Sequence, residues 1–156
     1  SLLPRVYQPE HLSELANKIA VVPHIGNYTK YASSTFSTSS TSPIREHYHL
    51  ICPCSHWKQV LNELCSCRAV VSSSLHGLIC ADAYGLPNVW LDEYPLEEGH
   101  FKFHDYFASQ GRPIQRIQSL KDISPEMVHD VKHELWYTGG NTIDVDTLMN
   151  AFPFSK

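Results

Sequence analysis

Short apolar runs separated by proline, glycine or polar turns recur along this chain, and they alternate with stretches whose apolar residues fall three or four positions apart. Continuous apolar runs predict buried strands, and the 3.6-residue period predicts helices. Residues 19–22 (Ile-Ala-Val-Val) read as a buried strand ended by Pro23 and His24. Residues 9–18 before them, with Leu12, Leu15 and Ala16 at helical spacing, read as a short helix. Residues 48–52 give a second strand, and Trp57, Val60, Leu61 and Leu64 occupy i, i+3, i+4 and i+7 of a helix opening at Ser55 or His56. A third strand is expected over 69–71, a helix over 75–84, and a fourth strand over 88–91, entered through Gly85 and Pro87. Gly85 suits the position just past a helix end. Farther along, 103–109 and 124–137 are expected to be helical, the second with Ser124 as N-cap and Pro125 behind it. Residues 114–117 form a candidate edge strand and 146–151 a last short helix.

Strands alternating with helices at this pitch call for right-handed crossovers, so the expected fold class is α/β: a Rossmann-like parallel sheet with helices on both faces. A chain of 156 residues fits one such domain, residues 1–156. One stretch stands apart. Every residue from 33 to 42 except Phe36 is Ser or Thr, a composition that supplies no core, so residues 28–43 are expected to form an exposed, mobile loop acting as linker or lid.

Charge and cysteine content narrow the function classes. A formal net charge of −4 with scattered Lys and Arg argues against nucleic acid as a partner. No apolar run approaches the roughly 20 residues of a membrane span, and the N-terminus lacks the order of a signal peptide, which points to a cytoplasmic protein. The cysteines, Cys52, Cys54, Cys65, Cys67 and Cys80, are odd in number, so free thiols are expected. Cys52-x-Cys54 and Cys65-x-Cys67 lie near His47, His49 and His56 but lack the spacing of a zinc site, so no metal and no cofactor are expected.

The chemistry concentrates in residues 72–78, Ser-Ser-Ser-Leu-His-Gly-Leu, between Val71 and the expected helix. This junction puts hydroxyls, an imidazole and unpaired backbone N–H groups at the carboxyl end of a parallel strand, where open α/β sheets bind ligands. A helix N-terminus favours anions, so a phosphate or carboxylate pocket is expected. His76 is the candidate titrating residue, able to act as acid, base or phosphate donor. Ser73 and Ser74 could donate hydroxyl hydrogen bonds, and the backbone of Leu75, His76 and Gly77 could cradle the anion; N-capping explains the serines equally well. His24 belongs to the same sheet edge, near His76 if their strands are neighbours. Asp92 and Glu93, after the fourth strand, are either a base or solvated loop acids.

The run VVSSSLHGLICADAYGLPNVWLDE, followed by FKFHDYFASQGRP, resembles the polysaccharide pyruvyl transferase family, with further similarity at residues 19–28 and 143–154. The resemblance implies one half of a GT-B two-domain fold: the C-terminal, donor-binding half, with residues 1–5 looking like the segment that joins the two domains. It implies phosphoenolpyruvate as donor, a sugar of a surface polysaccharide or its precursor as acceptor, a cyclic pyruvate ketal as product, and a missing N-terminal domain or homo-oligomer as partner. Many members carry Arg where this chain has Ser74, so the phosphate's cation must come from elsewhere. Lys102, flanked by Phe101 and Phe103, is the candidate, against a solvated surface lysine. Asp105 and Tyr106 would orient Lys102 or His76, or else belong to an aromatic helix with one exposed acid. Two other readings stand beside this one: a GT-B-type nucleotide-sugar glycosyltransferase domain, and a truncated, non-catalytic anion-binding module.

Overall fold

Among the described residues, five parallel strands build the sheet: β1 (Ile19–Val22), β2 (Tyr48–Leu50), β3 (Ala69–Ser72), β4 (Asn88–Leu91) and β5 (Arg116–Ile117). Their spatial order is β2-β1-β3-β4-β5. The computed structural model describes residues 3–36, 44–93 and 97–139 together with 144, 146 and 147. Ile19 lies opposite Tyr48 on one side and Ala69 on the other, while Trp90 lies between Ser72 and Arg116. From β1 the chain moves outward to β2, then returns past β1 to build β3, β4 and β5. Such a reversal of direction opens a crevice between the carboxyl ends of β1 and β3.

The period of two along each strand sorts the core into two faces. Ile19, Val21, Ala69, Val71, Val89 and Leu91 pack on one face with Tyr31, Leu120, Ile123, Val128 and Trp136. On the other, Ala20, Val22 and Val70 meet Leu15, Leu64 and Ala81, and Trp90 meets Leu78, Phe103 and Phe107. The helices are α1 (Leu3–Val6), α2 (Ile25–Lys30), α3 (Ile44–His47), α4 (Trp57–Ser66), α5 (Leu75–Ala83), α6 (Glu97–Ser109) and α7 (Pro125–His129). Helices α4, α5 and α6 supply the second face. Tyr31 beyond α2, the turn Leu120–Asp122 and α7 supply the first. Helices therefore cover both faces of a parallel sheet, the expected α/β class.

Local chemistry explains most boundaries. His56 caps α4 through Nδ1, which accepts the Lys58 N–H at 3.4 Å, and the Ser124 hydroxyl accepts the Met127 N–H at 3.4 Å to open α7. Gly85 closes α5 with φ of 67°, a conformation costly for any residue with a Cβ.

Four expected elements differ. The helix over 9–18 shrinks to the single turn Ser13–Leu15, because side chains of α4 take the preceding backbone: Asn62 Oδ1 accepts the Glu10 N–H (3.0 Å) and Ser66 Oγ the Leu12 N–H (2.8 Å). The loop expected over 28–43 begins as helix instead. Residues 28–30 belong to α2, and Tyr31–Thr35 continue it as a widened π-helical turn, in which Ser33 and Ser34 donate to the carbonyls of Thr29 and Lys30 (2.8 and 2.6 Å) while Tyr31 is buried. Residues 37–43 lie outside the described residues. The helix expected over 124–137 stops at His129. Asp130 and His133 then bind the N–H groups of Lys132 and Leu135, and Trp136 turns inward to donate its indole N–H to the Met127 carbonyl (3.0 Å). Helix α6 starts at Glu97, six residues earlier than its apolar spacing indicates. Of the last helix, 148–151 fall outside the described residues.

A buried polar network holds the amino edge of the sheet. The Asp82 carboxylate accepts from Arg112 Nη1 (2.8 and 2.9 Å), Asn88 Nδ2 (2.7 Å) and the Tyr106 hydroxyl (2.7 Å). The Arg112 side chain is 0% exposed and that of Asp82 1%. The guanidinium lies between the Phe107 and Tyr137 rings, at 4.4 and 3.9 Å from their centroids. Burial, reinforced by the bond to Asp82, pushes the Tyr106 phenol well up, so it stays a neutral donor.

Breaking this pair from one side leaves a buried charge without its partner. Asp82→Ala is expected to lower stability in urea unfolding by about 3–5 kcal/mol, and Tyr106→Phe by about 1–3 kcal/mol. Equal stability for Asp82→Ala and the parent would show that the network is dispensable.

The five thiols are free, and only Cys54 is exposed. Burial raises Cys65 and Cys67 from an ordinary 9.0 to about 12. Alkylation of the folded protein followed by mass mapping should label Cys54 first and leave Cys67 protected until unfolding. Because the folded state holds these protons more tightly than the unfolded chain, their contribution is complete below pH 9 and falls as pH rises toward 12. Thermal midpoints measured across that window should fall. They should fall less for the double variant Cys65→Ala/Cys67→Ala.

Candidate functional site at the strand crevice

Three strand ends lie side by side at the carboxyl edge: β1 running into Pro23 and His24, β3 into Ser73 and Ser74, and β4 into Asp92 and Glu93. Buried Ser72 ties the first two together. Its hydroxyl accepts the Ser74 N–H at 3.0 Å and has the carbonyls of Val22 and Ser74, each at 2.8 Å, for its own proton. Ser73, also buried, accepts the His24 N–H on its hydroxyl at 2.9 Å and donates its N–H to Val22 (3.2 Å). The ends of β1 and β3 are thereby locked, and since β1 pairs β3 the condition on which His24 was placed near His76 is met. His24 caps α2, Nδ1 accepting the Gly26 N–H at 3.3 Å, with its ring exposed.

Ser74 occupies the N-cap position of α5 but makes no capping bond through its side chain. The opening N–H groups of Leu75 and His76 therefore point from an uncapped helix end into the crevice region, and His76 is exposed in that first turn. Leu75 is anchored against the cluster of Trp90, Leu78 and Phe103. Gly77 has a packing role: a Cβ there would lie 2.3 Å from Ser72 Oγ and 3.1 Å from Val22 Cγ1. Its lack of a side chain lets α5 rest directly on the ends of β1 and β3.

The FKFHDYF block contributes differently from expectation. Lys102 is exposed, its ammonium 5.4 Å from the Phe103 ring centroid. Phe101 is 74% exposed, so one packed aromatic neighbour, not two, orients the lysine. Tyr106 points to Asp82 at the opposite edge of the sheet and orients neither Lys102 nor His76. Asp105 is exposed, and among the described residues it bonds to neither. The residue of this region that reaches the carboxyl edge is His100, one helical turn before His104. His100 Nε2 lies 2.8 Å from Asp92 Oδ1, and Arg116 Nη1 lies 2.9 Å from Asp92 Oδ2.

Asp92 and Glu93 are not solvated loop acids. Asp92 is 8% exposed. Glu93 accepts from the Tyr31 hydroxyl and from Asn27 Nδ2, spanning from β4 to the helix after β1. Ser72 pairs with Trp90, the last pair of the β3/β4 ladder, so Asp92 follows β4 at the same sheet edge at which Ser73 and Ser74 follow β3. The Trp90 ring meets His100 edge-on at 5.2 Å and belongs to the cluster holding Leu75. The imidazole–carboxylate pair thus flanks the turn. An acid pair directly after an apolar strand was the sequence signal available for Asp92; nothing local marks His100 or Arg116, whose placement depends on α6 and β5.

Among the described residues no group of three or more His, Cys, Asp or Glu is arranged to hold a metal ion, and no helix is long and apolar enough to cross a membrane.

The family model for polysaccharide pyruvyl transferase matches residues 6–93, from the last residue of α1 to Glu93 just past β4. A curated relative, the uncharacterized protein L143 of Acanthamoeba polyphaga mimivirus, is 41% identical over 61 residues, 38% of this chain and 21% of the relative. The match thus spans about a fifth of that relative's length. No solved structure matches the chain.

The contact beneath Gly77 can be tested directly. Gly77→Ala should destabilise the domain by about 1–3 kcal/mol, as overpacking does. Ser72→Ala/Gly77→Ala should cost less than the sum of the single changes, because the nearest clash is with the Ser72 hydroxyl. Strict additivity in thermal unfolding would place the strain elsewhere.

Proposed function

Since the chain belongs to the polysaccharide pyruvyl transferase family, we propose that the turn at residues 73–77 binds phosphoenolpyruvate. The complete enzyme would then transfer its pyruvyl group, as a ketal, to a sugar of a surface polysaccharide or its precursor. The observation that carries this reading is the uncapped N-terminus of α5 at the β1/β3 crevice, with Ser73, Ser74, His76 and His24 around it. In this reading the domain is the donor-binding half of a GT-B-like pair, and a facing domain or second subunit completes the cleft.

The chemistry divides into three tasks. Phosphate oxygens are held by the opening N–H groups of α5, the Ser74 hydroxyl, a ring N–H of His76 and the Nε2–H of His24, whose Nδ1 is taken by the Gly26 N–H. His76 donates a proton to the methylene carbon of phosphoenolpyruvate, which creates an oxocarbenium-like centre at the neighbouring carbon. One acceptor hydroxyl adds to that carbon and loses its proton. The bond to the phosphate oxygen then breaks, inorganic phosphate leaves, and a second hydroxyl adds with loss of its proton to close the ketal. In this scheme the His100–Asp92 pair receives the first hydroxyl's proton and passes it to the departing phosphate, the second hydroxyl's proton restores His76, and the buried carboxylate holds the His100 imidazole in one orientation. Lys102 is given no contact with the donor.

Calorimetric titration of the chain with phosphoenolpyruvate should show saturable binding, weakened about tenfold, or 1.4 kcal/mol, in His76→Ala. UDP-sugars should produce no comparable heat. Selective binding of a UDP-sugar would overturn the reading in favour of glycosyl transfer, and binding of phosphoenolpyruvate that is indifferent to His76→Ala would remove the imidazole from the donor site.

A further inference from the structure

One row of paired residues crosses three strands: Ser72 is opposite Trp90, and Trp90 is opposite Arg116. All three side chains face the helices α5 and α6, because laterally paired residues share a face of the sheet. Ser72 lies beneath Gly77, and Trp90 beneath Leu78 and Phe103. The Arg116 guanidinium leans from β5 over its neighbour: Cζ lies 5.9 Å from the Trp90 ring centroid, and Nη1 lies 2.9 Å from Asp92 Oδ2. Arg116 falls outside residues 6–93, so the family match does not account for it.

Asp92 and Trp90 together fix this guanidinium. Asp92 reaches it through Oδ2 alone, since Oδ1 is held 2.8 Å from His100 Nε2. The indole is a firm floor: Trp90 is buried, with Phe103 stacked on it at 4.5 Å and His100 edge-on at 5.2 Å. Nε and Nη2, the side-on edge of the guanidinium, carry no hydrogen bond among the described residues, and the side chain is 49% exposed. Two N–H groups in that fork match the oxygen pair of a carboxylate or a phosphate. Asp92 already balances the charge, so the edge offers direction more than net charge and suits a singly charged, planar carboxylate better than a phosphate dianion. The turn at 73–77 is close by. Strand β4, over which Arg116 leans, is next to β3 at a spacing of about 4.8 Å, and Leu75 of the turn packs on the cluster that contains Trp90.

We infer that Arg116 receives the carboxylate of the ligand whose phosphate sits at the turn, and that the site thereby selects phosphorylated carboxylic acids with both anionic groups on one carbon. The inference rests on the donor reading above, since phosphoenolpyruvate carries its phosphate oxygen and its carboxylate on the same carbon. A phosphate held alone leaves that carbon free to turn, whereas two anchors on neighbouring strands set its orientation. Arg116 is then a binding residue that decides specificity, and phosphate esters without the carboxylate lose the second anchor.

The test is calorimetry on the whole chain with four ligands: phosphoenolpyruvate, 2-phosphoglycolate, ethyl phosphate and inorganic phosphate. The first two should bind more tightly than the last two, and Arg116→Gln should weaken only the first two, by about tenfold. Unchanged binding of ethyl phosphate and inorganic phosphate in that variant shows that the fold and the helix end are intact. Arg116→Lys keeps the charge without the fork and should not restore the loss. Lys102→Gln, which removes a charge elsewhere on this side of the sheet, should change none of the four. Equal weakening of all four ligands in Arg116→Gln would assign the guanidinium to the phosphate and overturn the inference. So would phosphoenolpyruvate binding that is indifferent to Arg116→Gln, or no tighter than that of ethyl phosphate; in each case the donor reading survives. Absence of phosphoenolpyruvate binding in the parent chain removes the donor reading and this inference with it.

Discussion

The buried pair of Asp82 and Arg112 is the constraint on which the arrangement of this domain depends. Two charges removed from water are tolerated only when their hydrogen bonds and packing are nearly complete. Here completion requires α5, which carries Asp82, the start of β4, which carries Asn88, the body of α6, which carries Tyr106 and Phe107, and the late segment with Tyr137. Arg112 Nε and Nη2 find no hydrogen-bond acceptor among the described residues, and two aromatic faces take that place. Elements far apart in the chain therefore assemble at the amino edge together or not at all.

That anchoring at one end of α5 has a consequence at the other. The helix is held near its C-terminus by Asp82 and at its first turn by the close approach of Gly77 to Ser72, so its N-terminus is positioned without any cap. Helix ends without caps are normally corrected by a serine, threonine or aspartate side chain. In this chain Ser72 and Ser73 hold the strand ends together, and Ser74 is left uncommitted. Departures from local rules are expected at functional or strained positions. The stabilising network and the uncapped helix end thus sit at opposite edges of one sheet.

Helix α2 plays the corresponding part for the crevice's other wall. It begins with His24 against Ser73, is held to β4 through Glu93, and runs on into the widened turn Tyr31–Thr35. The turn at 73–77 and the His100–Asp92 pair thereby share one rigid set of strand ends. A stretch that composition alone presents as a serine-rich loop is structural at its beginning, because Tyr31 buries itself in the core and the hydroxyls of Ser33 and Ser34 bond back to helical carbonyls.

The sequence by itself determined the α/β class, the strands β1, β3 and β4, the helices α4 and α5, and the Ser-Leu-His-Gly turn. Each of these rests on signals that act within a few residues: apolar runs, the 3.6-residue period, a capping histidine and a closing glycine. The short turn before β1, the early end of α7 and the helical start of the serine-rich stretch were decided by tertiary contacts, in which distant side chains such as Asn62, Ser66 and Trp136 competed for backbone groups. The roles of Gly77, Tyr106, His100 and Arg116 belong to the same class. Whether a residue faces a strand end, a buried carboxylate or solvent depends on strand order and helix register, quantities that local sequence does not encode. Only the packed sheet, by putting β1 beside β3 and β3 beside β4, turned scattered histidines, serines and acids into one site.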